Sequence, residues 1–415
     1  MVLRCRGGAI RGRSWSSRKM ELSDNERKII TLLYKRGPLT KHDLARQGNM
    51  SWATAVKYVA KFQNLGIIRA AGTSYRAVHK GKNSYVYALT NTFPLAIGID
   101  IEYRTTSMVL TNLSGEILGN VTFNTPANPT TKELRTFLTE SIDEFIGGMS
   151  EEYGDQIIGI GIGIPGIAIP SWLRGETSHD SVDLVLYLEQ HYDTSVVVEN
   201  NVRAYTVFEQ WDKSAFAFDN FILISIRTGV GSGIILNGQL FSGPYHLAGE
   251  VGHFVVVDDG RPCRCGMSGC LETVVNNNAL YEAYRAEVLS LSVKTGTYSL
   301  QDVHAGLNDL FRRAAEGNPA AKSIVERAAT WLAVPLAHMI MVLNVPHVII
   351  SGDFGEHGTE LLQPLEFHIK RVLLPKLDLS LVYYPYDNIG FTRGAALLVL
   401  GQYFTANSQF HAELR

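Results

Sequence analysis

The stretch His253–Glu272, "HFVVVDDGRPCRCGMSGCLE", places Cys263, Cys265 and Cys270 within eight residues of one another, in a chain that has only four cysteines. Three thiols make an odd number for a disulfide framework. With His253 they make four soft or borderline donors, a complete tetrahedral shell for a structural zinc with no position left for water. Gly266 and Gly269 allow the sharp reversals that wrap a chain around an ion. Buried cysteines are common in cores, but the glycines, proline and arginines around these are not core composition.

At 415 residues the chain should contain more than one domain, and its composition is 46% hydrophobic and 19% charged. No apolar run of membrane-spanning length stands out, so no membrane association is expected. Cysteine usage fits a reducing cytosol in which thiols meet metal rather than each other. The net charge of −2 is unevenly spread. Residues 20–90 carry a net +8 and residues 91–415 about −16. A basic head on an acidic body is the footprint of a domain that meets a polyanion. Residues 1–19, "MVLRCRGGAIRGRSWSSRK", have no periodicity and no signal-peptide core. They read as a disordered or mis-assigned start, with Met20 as an alternative beginning.

The head, residues 20–90, reads as three helices and a β-wing. Ser23 and Glu26 form a capping box ahead of an apolar stripe that ends at Gly37-Pro38. A second helix runs from Thr40 to Gly48. A third begins at Ser51 in "SWATAVKYVAKFQNLG", with Ala55, Val59 and Phe62 inward at helical spacing. Tyr85 to Leu89 read as a strand, and Gly81-Lys82-Asn83 as a basic hairpin tip. This is the order of a winged helix-turn-helix, whose third helix enters a major groove while the tip reaches the backbone. The expected contacts to double-stranded operator DNA are Ser51, Trp52, Thr54, Lys57, Tyr58 and Lys61 on the helix, with Lys80 and Lys82 on the wing. A protein-binding winged helix with a solvated basic face is the competing reading.

The body alternates buried strands with glycine turns and amphipathic helices. "PLAIGIDI", "SMVLTNLSGEILG", "QIIGIGIGIPG", "TSVVVENNVRAYTVFEQW", "FILISIRTGVGSGIILNGQL" and "HVIISGDFG" predict an α/β fold with ligands at strand ends. The motifs "GIGIPG", "VENN", "RTGVGSGIILNGQL", "AGEVGH" and "CRCGMSGCLE" stand in an order and spacing that resemble the ROK family (repressors, open reading frames, kinases) over about residues 94–405. The resemblance implies a two-lobed, actin-like ATPase (sugar-kinase) fold, with a C-terminal helix returning to the first lobe, preceded by the winged helix-turn-helix domain. It implies that Asn200, Asn201, Glu250, His253 and Glu272 contact a sugar, and that the zinc locks the loop carrying the last three.

The resemblance also tests for catalysis. Family kinases carry an Asn-Asp pair at the strand–helix turn, and the aspartate is the base. This chain has Asn200-Asn201 there, and an amide cannot take a proton at neutral pH. The kinase phosphate turn, Asp-x-Gly-x-Thr, is replaced by Asp100, Ile101, Glu102, Tyr103 and Arg104. Glu102 would repel a phosphate. Only Thr228-Gly229 in the second turn is intact.

The expectation is therefore a cytoplasmic, nucleoid-associated bacterial transcription regulator with a catalytically inactive sugar-sensing body. It would act as a homodimer or higher homo-oligomer, with lobe closure changing the spacing of its heads. The alternative is an active sugar kinase carrying a DNA-binding head, and a third reading is an orphan repressor controlled by a protein.

Overall fold

The computed structural model describes residues 22–74, 84–102, 104–127, 129–149, 151–165, 180–211, 218–292, 298–374 and 377–403. Lys80, Lys82, the wing tip and residues 1–19 lie outside the described residues. The chain divides into two compact units, 1–204 with 389–415, and 205–388.

The head forms the N-terminal part of the first unit. Its elements are α1 (Asp24–Arg36), β1 (Leu39–Thr40), α2 (Lys41–Gln47), α3 (Trp52–Asn64), β2 (Ile68–Ser74) and β3 (Ser84–Leu89), with a small antiparallel sheet in the order β1-β3-β2. Each helix starts where its sequence signal stands. The Glu26 carboxylate accepts from the Ser23 N–H and hydroxyl, both at 2.8 Å. Thr40 Oγ1 accepts from the Asp43 N–H at 3.1 Å, and Ser51 Oγ from the Thr54 N–H at 3.1 Å. Ile29, Ile30, Leu33, Leu44, Ala55, Val59 and Phe62 fill the core between the helices.

The rest of the first unit contains β4 (Leu95–Ile101), β5 (Thr105–Asn112), β6 (Ile117–Asn124), α4 (Thr131–Gly147), α5 (Glu151–Gly154), β7 (Ile157–Ile164), α6 (Asp180–Tyr192), β8 (Ser195–Asn200) and the start of α7 (Asn201–Trp211). Its sheet runs β6-β5-β4-β7-β8, antiparallel across the first three strands and parallel across the last three. Alternation along "IIGIGIGI" decides which helix lies on which face. Ile160, Ile162 and Ile164 pack with Leu138 and Ile142 of α4 and Leu184 and Leu188 of α6. The intervening glycines admit a helix at backbone contact, because a Cβ on Gly161 would stand 1.7 Å from the Ala395 carbonyl oxygen.

The second unit holds β9 (Phe221–Ile226), β10 (Val230–Leu236), β11 (Gln239–Leu240), α8 (Glu272–Val275), α9 (Asn277–Ala283), α10 (Leu300–Ala315), α11 (Pro319–Leu343), β12 (His347–Gly352), α12 (Leu362–Lys370) and β13 (Ser380–Pro385). Its sheet, β11-β10-β9-β12-β13, repeats the first unit's pattern of an antiparallel meander joined to two parallel strands. The chain then returns through α13 (Asn388–Leu400), the helix that lies on the glycine face of β7. Helix α11 corrects the composition reading: by length and apolarity it could cross a membrane, although 61% of its most apolar window is buried inside the fold. Ile324, Ala328, Leu332, Leu336 and Ile340 are its inward stripe in the core of the second unit.

Candidate functional site

The stretch His253–Glu272 folds into a compact loop of the second unit. Bridges join Val255 to Cys270 and Pro262 to Ser268. Gly266 and Gly269 take φ of +92° and +75°, the left-handed region predicted for the two reversals. The donor atoms of His253, Cys263, Cys265 and Cys270 all lie within 4.8 Å of one another. Cys263 Sγ is 3.5 Å from His253 Nδ1, and Cys265 Sγ is 3.6 Å from Cys270 Sγ, with no disulfide between them. Tetrahedral zinc, with bonds of about 2.3 Å to sulfur and 2.0–2.1 Å to nitrogen, sets S···S near 3.8 Å and S···N near 3.5 Å. The four residues therefore fit a metal. Burial pushes the Cys263 thiol well up, and the neighbouring Glu272 carboxylate acts in the same sense. Burial also raises Cys270. At Cys265 burial is outweighed by the Met267 N–H and the two neighbouring thiols, so its pKa falls.

The same loop is packed onto the second glycine turn. Gly252 of "AGEVGH" lies flat on β10, where a Cβ would stand 2.0 Å from the Val230 carbonyl oxygen. At Gly229 a Cβ would meet Arg264 Nη2 at 3.0 Å and Glu272 Oε2 at 3.1 Å. The Asn277 N–H donates to the Arg227 carbonyl at 2.7 Å. Glu272 is 5% exposed, and its Oε1 accepts from Cys263 at 3.1 Å and lies 3.5 Å from Arg264 Nε. His253 Nε2 lies 3.9 Å from Glu250 Oε2. Glu250, His253 and Glu272 are thus gathered with the metal donors. Arg264, which sequence reasoning passed over, joins them, and its only sequence signal is its position between two ligand cysteines.

Asn200 and Asn201 belong to the first unit. Asn200 Oδ1 accepts from the N–H groups of Val202 and Arg203 at 2.9 and 3.1 Å, so this amide caps α7. Asn201 is 7% exposed in the first turn of that helix. Behind it, Arg203 forms a buried ion pair with Glu199 at 2.7 Å. The pairing of β4 with β7 sets Asp100 opposite Gly163. A Cβ on Gly163 would lie 3.4 Å from Asp100 Oδ1 and 3.3 Å from Asn201 Cβ. Asp100 is thereby a buried neighbour of Asn201, an approach that a strand-by-strand reading does not show. The turn after Asp100 is a tight hairpin closed by the Glu102 N–H on the Thr105 carbonyl at 2.8 Å.

On the head, the six predicted residues of α3 fall into three pairs. Trp52 and Lys57 are exposed. Ser51 and Thr54 hydrogen-bond each other at 2.7 Å in the N-cap. Tyr58 and Lys61 are turned toward the start of α1: Tyr58 Oη lies 3.4 Å from Ser23 Oγ, and Lys61 Nζ pairs with the nearly buried Glu26 at 2.5 Å. Lys61 thus holds two helices together, a task that its charge alone does not reveal. His42, Arg46 and Asn49 line an open groove with Ser51 and Trp52 and were not anticipated.

The two sheets, each an antiparallel meander joined to parallel strands, define an actin-like kinase fold, and the sequence matches the ROK family over residues 96–402. The chain belongs to the ROK family. It is 26% identical over 349 residues to the DNA-binding transcriptional dual regulator NagC of Escherichia coli, covering 82% of this chain and 83% of that protein. It is 24% identical over 362 residues to the xylose repressor of Bacillus subtilis, covering 86% and 89%. A glucokinase of Halalkalibacterium halodurans is 28% identical over 295 residues, covering 68% of this chain and 87% of the enzyme. In fold it matches a ROK family transcriptional regulator described as a homologue of the E. coli MLC protein, with a TM-score of 0.73 at 23% identity over 92% of this chain and 96% of that one.

Proposed function

We propose that this chain is a sugar-responsive, DNA-binding transcription regulator, a repressor of carbohydrate genes whose kinase-type body senses a sugar without phosphorylating it. One observation carries the non-enzymatic reading. The first turn of α7 presents Asn201 where the kinase pattern has its aspartate base, and Asn200 beside it is occupied as a helix cap. Neither amide can accept a proton at neutral pH, while both can still hydrogen-bond a hydroxyl. Coverage supports the regulatory reading, because the NagC and xylose-repressor alignments extend over 82% and 86% of the chain against 68% for the glucokinase.

The proposed sugar contacts are Asn200, Asn201, Glu250, His253 and Glu272. Zinc on His253 Nδ1 and the three cysteines would supply cross-linking alone, since four protein donors leave no position for substrate. Glu250 and His253 then present a fixed polar edge to sugar hydroxyls. The head, residues 20–90, is the proposed operator-binding domain. Trp52 and Lys57 face the duplex, and Lys80 and Lys82 are assigned to the backbone. Reading two half-sites calls for a homodimer or higher homo-oligomer acting in the cytoplasm at the nucleoid.

The experiment is a titration of the full chain with glucose, xylose, N-acetylglucosamine and the 6-phosphates of the two hexoses, with and without operator selected from random duplexes. Sugar and operator must alter each other's affinity by one common factor, roughly 5- to 150-fold. Independence of the two affinities for every sugar would remove the regulatory role. ATP-dependent phosphorylation of any of them would favour the kinase.

A further inference from the structure

The hairpin turn between β5 and β6, Asn112–Glu116, holds three separate parts of the first unit at one point. From the body's own fold comes Arg393 of α13, whose Nη2 donates to the Gly115 carbonyl at 2.9 Å. From the head comes Tyr34 of α1. A Cβ built on Gly115 would lie 2.9 Å from Arg393 Nη2, 3.5 Å from Tyr34 Oη and 3.9 Å from Tyr34 Cε2. From the connection between them comes Asn91, whose carbonyl accepts from Asn112 Nδ2 at 3.1 Å.

The turn itself is stiff. Asn112 is fully buried, and its Oδ1 accepts from the Ser114 N–H, the Ser114 hydroxyl and the Glu116 N–H at 3.0, 2.7 and 3.0 Å. Gly115 sits at φ +82°, a conformation that a side chain would strain. The connection is stiff as well. Thr90 Oγ1 donates to the Gly66 carbonyl at 2.5 Å, and the Phe93 carbonyl lies 3.0 Å from the same hydroxyl. Arg393 projects from a helix that cannot shift on its sheet. Beyond the Gly161 contact, a Cβ on Gly98 would stand 2.0 Å from the Thr392 carbonyl oxygen.

A DNA-binding head needs only a flexible tether to bind DNA. Here a helix of the head and the linker meet a rigid turn that a guanidinium of α13 holds in place, so the head is instead positioned. We infer that Arg393 is a positioning residue that keeps the head seated on the rest of the first unit by holding the Gly115 turn beside Tyr34, so that the two move as one body. Asn200 and Asn201 stand on the same body, at the end of β8 and the start of α7. A displacement of the first unit caused by the sugar would then appear undiminished as a displacement of the head. A tethered head would lose it. The inference rests on the regulatory reading above.

The test uses the full chain as wild type, Arg393→Gln and Arg393→Lys, with Tyr34→Leu as a second route to the same contact should Arg393→Gln fold poorly. The first readout is thermolysin cleavage in residues 90–95, which reports head docking without sugar or DNA. Cleavage should rise at least tenfold in Arg393→Gln and Tyr34→Leu, with partial protection returning in Arg393→Lys. The second readout is the sugar-dependent change in operator affinity with the panel above. Arg393→Gln should bind sugar within about twofold of wild type, yet its operator response should shrink below about twofold. A full operator response in Arg393→Gln overturns the inference alone. If the wild type itself gives no response to any sugar, the regulatory reading falls, and the cleavage assay alone then decides whether Arg393 fixes the head.

Discussion

Glu272 Oε1 lies 3.1 Å from Cys263 Sγ, so a residue assigned to the sugar and a residue assigned to the metal are direct neighbours. The loop between them also carries Arg264, whose guanidinium stands beside Gly229. The proposed metal donors and the proposed sugar-contacting residues of this loop consequently share one piece of backbone.

That adjacency predicts a linked loss. The full chain should contain roughly one tightly held zinc, as a closed four-donor site requires. Cys263→Ser should lose it and also weaken sugar binding, whereas Glu250→Gln should weaken sugar binding with the metal retained. Metal content by mass spectrometry beside sugar calorimetry separates the two. Zinc-free protein with an intact sugar response would contradict the assignment.

The amide pair at α7 predicts no phosphoryl transfer above background. Loss of a general base costs about 10²–10⁴-fold, and the hairpin at Glu102 is a second, independent obstacle. Asn201→Asp alone should therefore remain a poor kinase. A coupled assay for nucleotide hydrolysis and sugar phosphate checks both chains.

The head should be acid-sensitive through Glu26. Burial raises this carboxyl, but hydrogen bonds from Lys61 and Ser23 more than offset that, and its pKa falls below the ordinary 4.5. A group depressed on folding contributes stability that is present above its unfolded value and lost as pH falls through the folded one. Melts should show the head weakening below about pH 4.5 in wild type and much less in Glu26→Gln. That variant should already be less stable at pH 7, by about 1–2 kcal/mol.

Division of labour on α3 predicts distinct DNA phenotypes. Lys57→Ala should weaken binding evenly across sequences and reduce the salt slope by about one. Trp52→Ala should change the preferred sequence, by about 1–3 kcal/mol per lost base contact. Lys61→Ala should act mainly through stability, since its ammonium pairs with Glu26. Affinity measured at several salt concentrations, together with melting curves, distinguishes these outcomes. Equal behaviour of all three would refute the division.

Features that act over a short range were legible in the residues alone. Helix starts at Ser23, Thr40 and Ser51, the wing strand, the buried strands and the four metal donors could all be read because caps, two-residue alternation and clustered thiols act within a few residues. What long-range packing sets was not legible in them. The length and apolarity of α11 fit a membrane span as well as a core helix, and only the packing of its inward stripe in the second unit shows how it is buried. The glycines of "IGIGIGI" read as a buried strand, but only tertiary structure shows that they admit α13, more than two hundred residues later, at backbone contact. The same holds for Lys61 on Glu26, Asp100 beside Asn201, Arg264 beside Gly229 and Arg393 on Gly115. Each is a juxtaposition of segments whose sequences carry no record of one another, and its geometry exists only once the sheets have set their register.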